Sequence, residues 1–136
     1  REVKQAMRHN ERGVTDLLAE FSGGGVVWVD RNGRTYYSGM GTLFSQPEFD
    51  DETVRMSIAG LFDRFEEVVG RLQINAREDI QWSVGDEAML DTAECSVLST
   101  SVQSGKKFPM IVVIGPMRMN YEKTFGLLKA LKEFYE

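Results

Sequence analysis

The sequence predicts an α+β fold in which a mainly antiparallel sheet of about five strands carries packed helices. Helical and strand patterns follow one another in the order helix, two strands, helix, three strands, helix, with mostly short connections between strands. The pair Asn32-Gly33 favours a hairpin turn. The run from Phe108 to Ile114 is apolar and β-branched, which is typical of a strand covered on both faces.

Composition indicates one globular domain over residues 1–136. Apolar residues make up 42% of the chain and charged residues 27%, a balance that argues against disorder. The one cysteine, Cys95, cannot form an internal disulfide, which fits a reducing compartment. No apolar run approaches the length of a membrane span and no signal sequence opens the chain, so we expect a soluble cytoplasmic protein.

The charge of the chain disfavours nucleic-acid binding by this segment. Its net charge is −5, whereas affinity for a nucleic-acid duplex comes mostly from lysine and arginine side chains that displace counterions from phosphates. The basic side chains of Arg31, Arg34 and the pair Lys106-Lys107 are interpreted as solvated turn residues.

Residues 1–22 are predicted to form the first helix, which Gly23-Gly24-Gly25 ends. Its second half is the better helical pattern because apolar residues recur at helical spacing, namely Val14, Leu17, Leu18 and Phe21. Residues 1–13 are polar and include a helix-weakening glycine, so an alternative interpretation makes them a linker from an upstream domain.

Two strands joined by a tight turn are predicted next, over residues 25–30 and 35–40. Asn32-Gly33 is a favoured pair for a type I′ turn because both residues tolerate positive φ. The following stretch, residues 39–49, is interpreted from its composition as a connecting loop.

A long helix with a continuous apolar face from Val54 to Leu72 follows, and Asp50 or Asp51 is expected to cap it. Three acidic side chains lie away from that face and are interpreted as solvated: Asp63, Glu66 and Glu67.

Three more strands and a final helix complete the prediction. The strands cover residues 80–84, 95–102 and 108–114, and Gly115-Pro116 is expected to stop the last one. Asn120 is the expected cap of a helix over residues 121–135. Its predicted apolar stripe contains Tyr121, Phe125, Leu128, Leu131 and Tyr135.

The sequence contains no recognisable catalytic, cofactor or metal site. Its one histidine, His9, and its one cysteine, Cys95, fall in different elements and lack companions at metal-ligand spacing. Residues 23–25 follow a helix and precede a strand, the reverse of a phosphate-binding loop. Carboxylates are scattered over turns and helix faces. Taken alone, these patterns indicate a non-enzymatic binding or regulatory domain without a cofactor.

Several stretches resemble one family. Gly115-Pro116-Met117-Arg118-Met119-Asn120-Tyr121 resembles the G-P-T-R-M-D-Y signature of the HrcA family of bacterial heat-inducible transcription repressors. Residues 37–49 are similar to that family's Y-V-G-G-T-S-N-L-L-x-Q-P-E-F segment. Residues 80–87 are similar to its V-x-V-x-I-G-E-E strand, and residues 91–97 to its D-C-S-V-V stretch. The stretches occur in the family's order.

The resemblance implies a GAF-like regulatory domain of a repressor of chaperone genes. It also implies a chaperonin as partner, homodimer formation, and contact with operator DNA through a winged-helix domain outside this chain. The candidate regulatory or interaction residues lie on the matched motifs: Arg118, Met119, Tyr121, Gln46 and Pro47.

Three of these candidates carry a physical expectation of their own. Arg118 precedes a helix start, where the helix dipole disfavours a cation, so its guanidinium should bind a carboxylate, a carbonyl or a partner. Met119 and Tyr121 are expected to pack under the last helix.

An alternative function remains open from the sequence. It is a stand-alone GAF-like module for small-molecule binding or protein interaction. Its pocket would lie between the sheet and the stretch from Met40 to Phe49.

Overall fold

A computed structural model describes residues 11–32, 34–75, 80–84, 95–102, 109–117 and 121–135. Within these residues the chain forms five α-helices, one 3-10 helix and five strands. The α-helices are α1 (Glu11–Ser22), α2 (Met40–Phe44), α3 (Glu52–Asp63), α4 (Phe65–Asn75) and α5 (Tyr121–Tyr135). The strands are β1 (Gly25–Val29), β2 (Thr35–Ser38), β3 (Gln81–Val84), β4 (Cys95–Ser101) and β5 (Met110–Pro116), and the 3-10 helix is Pro47–Asp50.

The five strands form one sheet in the order β2-β1-β5-β4-β3, and every neighbouring pair is antiparallel. All residues of β1, β4 and β5 are buried. This arrangement confirms the predicted α+β fold and is consistent with a GAF-like domain.

Helices cover both faces of the sheet, and each face has its own apolar core. The first face packs against α2, the 3-10 helix, α3 and α4, and its core includes Val27, Leu43, Phe49, Ile58, Leu61, Val97 and Val112. The second face packs against α1 and α5, and its core includes Val14, Leu18, Trp28, Leu98, Ile111, Leu128 and Leu131. The two cores alternate along β1, β4 and β5 because successive strand residues point to opposite faces.

The predicted end of the first helix and the predicted cap of the helix that follows the hairpin are confirmed among the described residues. Gly23 adopts φ 72° after α1, and its N–H donates to the carbonyl oxygen of Ala19, which is the geometry of a left-handed helix end. Asp51, not Asp50, caps α3, since its carboxylate accepts from the N–H of Thr53 at 2.8 Å. Residues 1–10 lie outside the described part of the chain.

The predicted hairpin forms, but its register differs from a two-residue type I′ turn. Val29 pairs with Thr35, and the N–H of Asp30 donates to the carbonyl oxygen of Arg34, which leaves three residues between these ends. The Asp30 carboxylate accepts from the N–H groups of Asn32 and Arg34 and so holds the longer turn. Gly33 itself lies outside the described residues.

The interpretation of residues 39–49 as a connecting loop is wrong, because the segment contains α2 and the start of the 3-10 helix. Leu43 and Phe49 are buried in the first core, so tertiary burial stabilises helical turns that are too short to form alone. Their side chains occupy the space against the sheet in which the alternative function places a pocket.

The predicted long helix is divided at Arg64 into α3 and α4. Arg64 adopts φ −114° and ψ 28°, and its N–H donates to the carbonyl oxygens of both Gly60 and Leu61. Gly60 weakens the last turn of α3 because glycine loses the most backbone freedom in a helix. Buried residues of both helices still face the same core, as the apolar pattern predicts.

The expected strand stop at Gly115-Pro116 is also wrong, because β5 continues through both residues. Gly115 pairs with Ser96 and Pro116 with Cys95, whereas pairing with β1 ends two residues earlier, at Ile114. Proline is tolerated there because it is the last residue of β5, beyond the ladder with β1.

The predicted last helix is confirmed over Tyr121–Tyr135, but one residue of its stripe is misplaced. Leu128 and Leu131 are fully buried, whereas Phe125 is 37% exposed and Thr124 takes a buried position instead. Asn120, the predicted cap, and the side chain of Tyr135 lie outside the described part of the chain.

Candidate interaction site at one end of the sheet

The strand registers bring the resemblance stretches to one end of the sheet, here called the motif end. At this end β1 begins at Gly25, β2 ends at Ser38, β3 ends at Val84, β4 begins at Cys95 and β5 ends at Pro116. Stretches far apart in sequence therefore meet across a few strand spacings of about 4.8 Å each. The spatial grouping is a property of the fold that no single motif encodes.

Tyr121 connects the start of α5 to two strands at the motif end. Its hydroxyl lies 2.6 Å from the Oγ atom of Ser96, which is fully buried on β4. Its ring packs edge-on against Trp82 of β3, with ring centroids 5.4 Å apart, and its hydroxyl lies 3.9 Å from the Sδ atom of Met117. The expected packing of Tyr121 under the last helix is confirmed, and it includes a polar anchor.

Gln46 connects the second motif to the turn after α1. The side-chain Nε2 atom of Gln46 donates to the backbone carbonyl oxygen of Gly23 at 3.4 Å. The backbone carbonyl oxygen of Gln46 accepts from the N–H of Phe49 at 2.9 Å. Pro47 occupies the first turn of the 3-10 helix, where its fixed φ suits the helix and no N–H is required. Pro47 is exposed, so a partner can contact it.

Glycines allow three segments to touch at the motif end. A Cβ atom on Gly24 would lie 2.4 Å from the carbonyl oxygen of Ile114. Gly39 has φ 77°, and a Cβ atom there would lie 2.4 Å from the carbonyl oxygen of Gly24 and 2.8 Å from the Cβ atom of Ala19. The chain after β2 can therefore pack this closely against the turn after α1 only because residue 39 is glycine.

The other two predicted site residues, Arg118 and Met119, lie outside the described residues, so their contacts stay predictions. Trp82 and Ser96 were not singled out from the sequence as site residues. Trp82 is 49% exposed on β3, and its position beside Tyr121 follows from the pairing of Trp82 with Leu98. A half-exposed tryptophan in a strand adjoining a motif is the signal that could have identified it.

The described residues contain neither a candidate metal site nor a candidate membrane span. Within that part of the chain, no three or more histidine, cysteine, aspartate and glutamate side chains gather where they could hold a metal ion. None of the helices in the described ranges is long and apolar enough to cross a membrane.

Comparison with known proteins identifies the family. The profile of the family described as HrcA protein C terminal domain matches residues 1–125 of the chain. The chain belongs to the HrcA family. No solved structure matches it significantly.

Curated HrcA relatives are similar over most of this chain. The chain is 28% identical over 102 residues to the heat-inducible transcription repressor HrcA of Oceanobacillus iheyensis, covering 74% of this chain and 30% of that protein. It is 30% identical over 101 residues to that of Symbiobacterium thermophilum, covering 72% and 30%. It is 28% identical over 122 residues to that of Halalkalibacterium halodurans, covering 88% and 34%. The chain thus spans about a third of the length of the HrcA relatives that it matches.

We expect Gly39→Ala to destabilise this HrcA domain by about 1–3 kcal/mol, because the substitution adds a Cβ atom at positive φ against the backbone of Gly24. Urea unfolding followed by circular dichroism measures the change. Gly41→Ala is the matched control, since no atom lies within 4 Å of its added Cβ atom and alanine favours α2. Equal stability of the two variants would contradict the tight contact.

We expect Tyr121→Phe to lower the free energy of unfolding by about 1–2 kcal/mol, because it leaves the buried Ser96 hydroxyl without this partner. Tyr37→Phe is the control, since Tyr37 is half exposed, and it should change stability by less than about 0.5 kcal/mol. In a double-mutant cycle with Ser96→Ala, a coupling energy near zero would show that the two hydroxyls do not stabilise the fold together.

Proposed function

We propose that this chain is the regulatory domain of a heat-inducible repressor that controls chaperone genes, and that it acts without catalysis in the cytoplasm. Family membership over residues 1–125 supports the repressor class. The observation that carries the proposal is that the described parts of the family-like stretches meet at the motif end through the pairing of β3, β4 and β5.

The motif end is the proposed binding site for a chaperonin. Trp82 is half exposed there and rests on the ring of Tyr121, so an apolar side chain is held rigidly at the surface. Rigid aromatic side chains are frequent anchors of protein interfaces because they bury a large area at a small cost in conformational entropy. Exposed Pro47 adjoins the Gln46 contact with Gly23 and extends the proposed surface, and Arg118 and Met119 are proposed to contribute to it.

Helix α1 provides a physical route from this site to the preceding chain. It ends at Ser22, next to Gly23 and the Gln46 contact, and it starts near the opposite end of the sheet, where the Arg12 guanidinium lies 5.4 Å from the ring centroid of Tyr36. Twelve helical residues span about 18 Å. A shift at the motif end would therefore move the chain that enters α1.

Operator DNA is proposed to contact residues outside this chain, and the repressor is proposed to act as a homodimer. The net charge of −5 supports the first point, because phosphate binding needs basic surfaces. A partner that binds the folded domain would raise the folded population by mass action, which links chaperonin supply to repression.

We expect purified bacterial chaperonin to raise the thermal unfolding midpoint of the chain in a concentration-dependent way. At 100 times the dissociation constant, the stabilisation should reach about 2.7 kcal/mol. Trp82→Ser should abolish most of the shift. Met56→Ser is the matched control, since Met56 is 65% exposed on the helices of the opposite face.

Two results would contradict this proposal. If chaperonin leaves the midpoint unchanged or lowers it, chaperonin does not bind the folded domain. If a small metabolite instead gives a saturable increase, the chain is a small-molecule-binding module.

A further inference from the structure

Three aromatic rings form a partly exposed cluster at the β2 edge of the sheet, which is the opposite edge from β3 and its Trp82. Tyr37 of β2 is 50% exposed. Its ring centroid lies 5.9 Å from that of Phe62 and 6.4 Å from that of Phe65, and the last two rings stack 5.8 Å apart. Phe62 and Phe65 also pack against the first core, so Tyr37 is the exposed member of the cluster. An exposed apolar group continuous with further partly exposed rings is a candidate interaction site.

Acidic residues are sequence neighbours of two of these rings. Asp63 follows Phe62, while Glu66 and Glu67 follow Phe65, and all three carboxylates are exposed. Together, these six residues are here called the aromatic–acidic surface. An aromatic ring attracts cations over its face, so the rings and the carboxylates favour the same kind of partner.

The charge of the chain is concentrated on this side of the sheet. Residues 40–75, which cover the first face, carry seven acidic and three basic side chains. Helices α1 and α5, which cover the second face, carry five acidic and four basic side chains. The two helical layers have similar roles in packing, so packing does not require the difference.

The negative charge of the aromatic–acidic surface distinguishes between possible binding partners. A nucleic acid or an anionic lipid surface would meet like charge there. A two-fold contact with a second copy would bring Asp63, Glu66 and Glu67 of both copies together, again with like charges. A protein surface that presents arginine or lysine around apolar side chains meets opposite charge and aromatic faces.

We propose that the aromatic–acidic surface binds a partner protein through a basic segment with apolar side chains. Tyr37 lies on β2, which among the described strands pairs only with β1, so a partner can approach this edge. This surface lies at the β2 edge, whereas Trp82, the proposed anchor for chaperonin, lies on β3 at the opposite edge of the sheet. The inference therefore does not rest on the proposed chaperonin binding.

The test is an NMR titration of the ¹⁵N-labelled 136-residue chain with the amidated peptide Leu-Arg-Leu-Lys-Leu-Arg-Leu-Lys. A copy of the peptide with glutamine in place of each basic residue serves as control. We expect saturable shifts confined to the backbone amides of residues 35–38 and 61–68 with the basic peptide, and none with the glutamine peptide. Asp63→Lys combined with Glu66→Lys should weaken binding at least about tenfold, because it reverses the attraction.

Glu20→Lys combined with Glu133→Lys makes the same change in net charge on the other helical layer, where both side chains are exposed. This control should bind within about twofold of the unchanged chain. Tyr37→Ser should weaken binding while the amide spectrum stays that of a folded domain. The inference is overturned if no saturable shift occurs, if shifts scatter over both layers, if the control reversal weakens binding equally, or if the glutamine peptide binds as well.

Discussion

Strand β5 pairs with β1 on one side and β4 on the other, and the other features of the domain depend on these two ladders. Every residue of β5 is buried, so alternate side chains enter the first and second cores. A shift of register by one residue would exchange Val112 and Val113 between the two cores and separate Gly115 from Ser96. The same pairing that forms the cores therefore assembles the motif end.

Local patterns predicted most elements, and tertiary contacts account for the errors. The hairpin, the buried strand and the helix after Asp51 follow from turn residues, β-branched composition and a side-chain cap, which act over a few residues. The sequence did not predict α2 or the break at Arg64, because burial of Leu43 and the contact between Phe62 and Phe65 decide them. For the same reason it placed Tyr121 under a helix but could not identify Ser96, 25 residues away, as its hydrogen-bond partner.

The domain presents two surfaces of different chemistry. At the motif end, Trp82 and Tyr121 offer an apolar anchor, and Tyr121 is held by the hydrogen bond between its hydroxyl and that of Ser96. At the β2 edge, Tyr37 adjoins carboxylates of the acidic helical layer. Helix α1 runs from Arg12, whose guanidinium lies over the ring of Tyr36 on β2, to the turn after Ser22, where Gln46 donates to the carbonyl oxygen of Gly23. If both proposed sites bind, the domain can bind two partners at once.

Hydrogen exchange of the 136-residue chain with and without chaperonin tests the central claim most directly. If chaperonin binds the motif end, we expect slower exchange there, because binding restrains local opening. The expected segments are residues 23–25, 81–84 and 115–117 and the first turn of α5. Exchange in the hairpin turn near Asn32 should stay unchanged. Protection confined to that turn or to α3 and α4, or no protection at all, would contradict the assignment of the motif end as the chaperonin site.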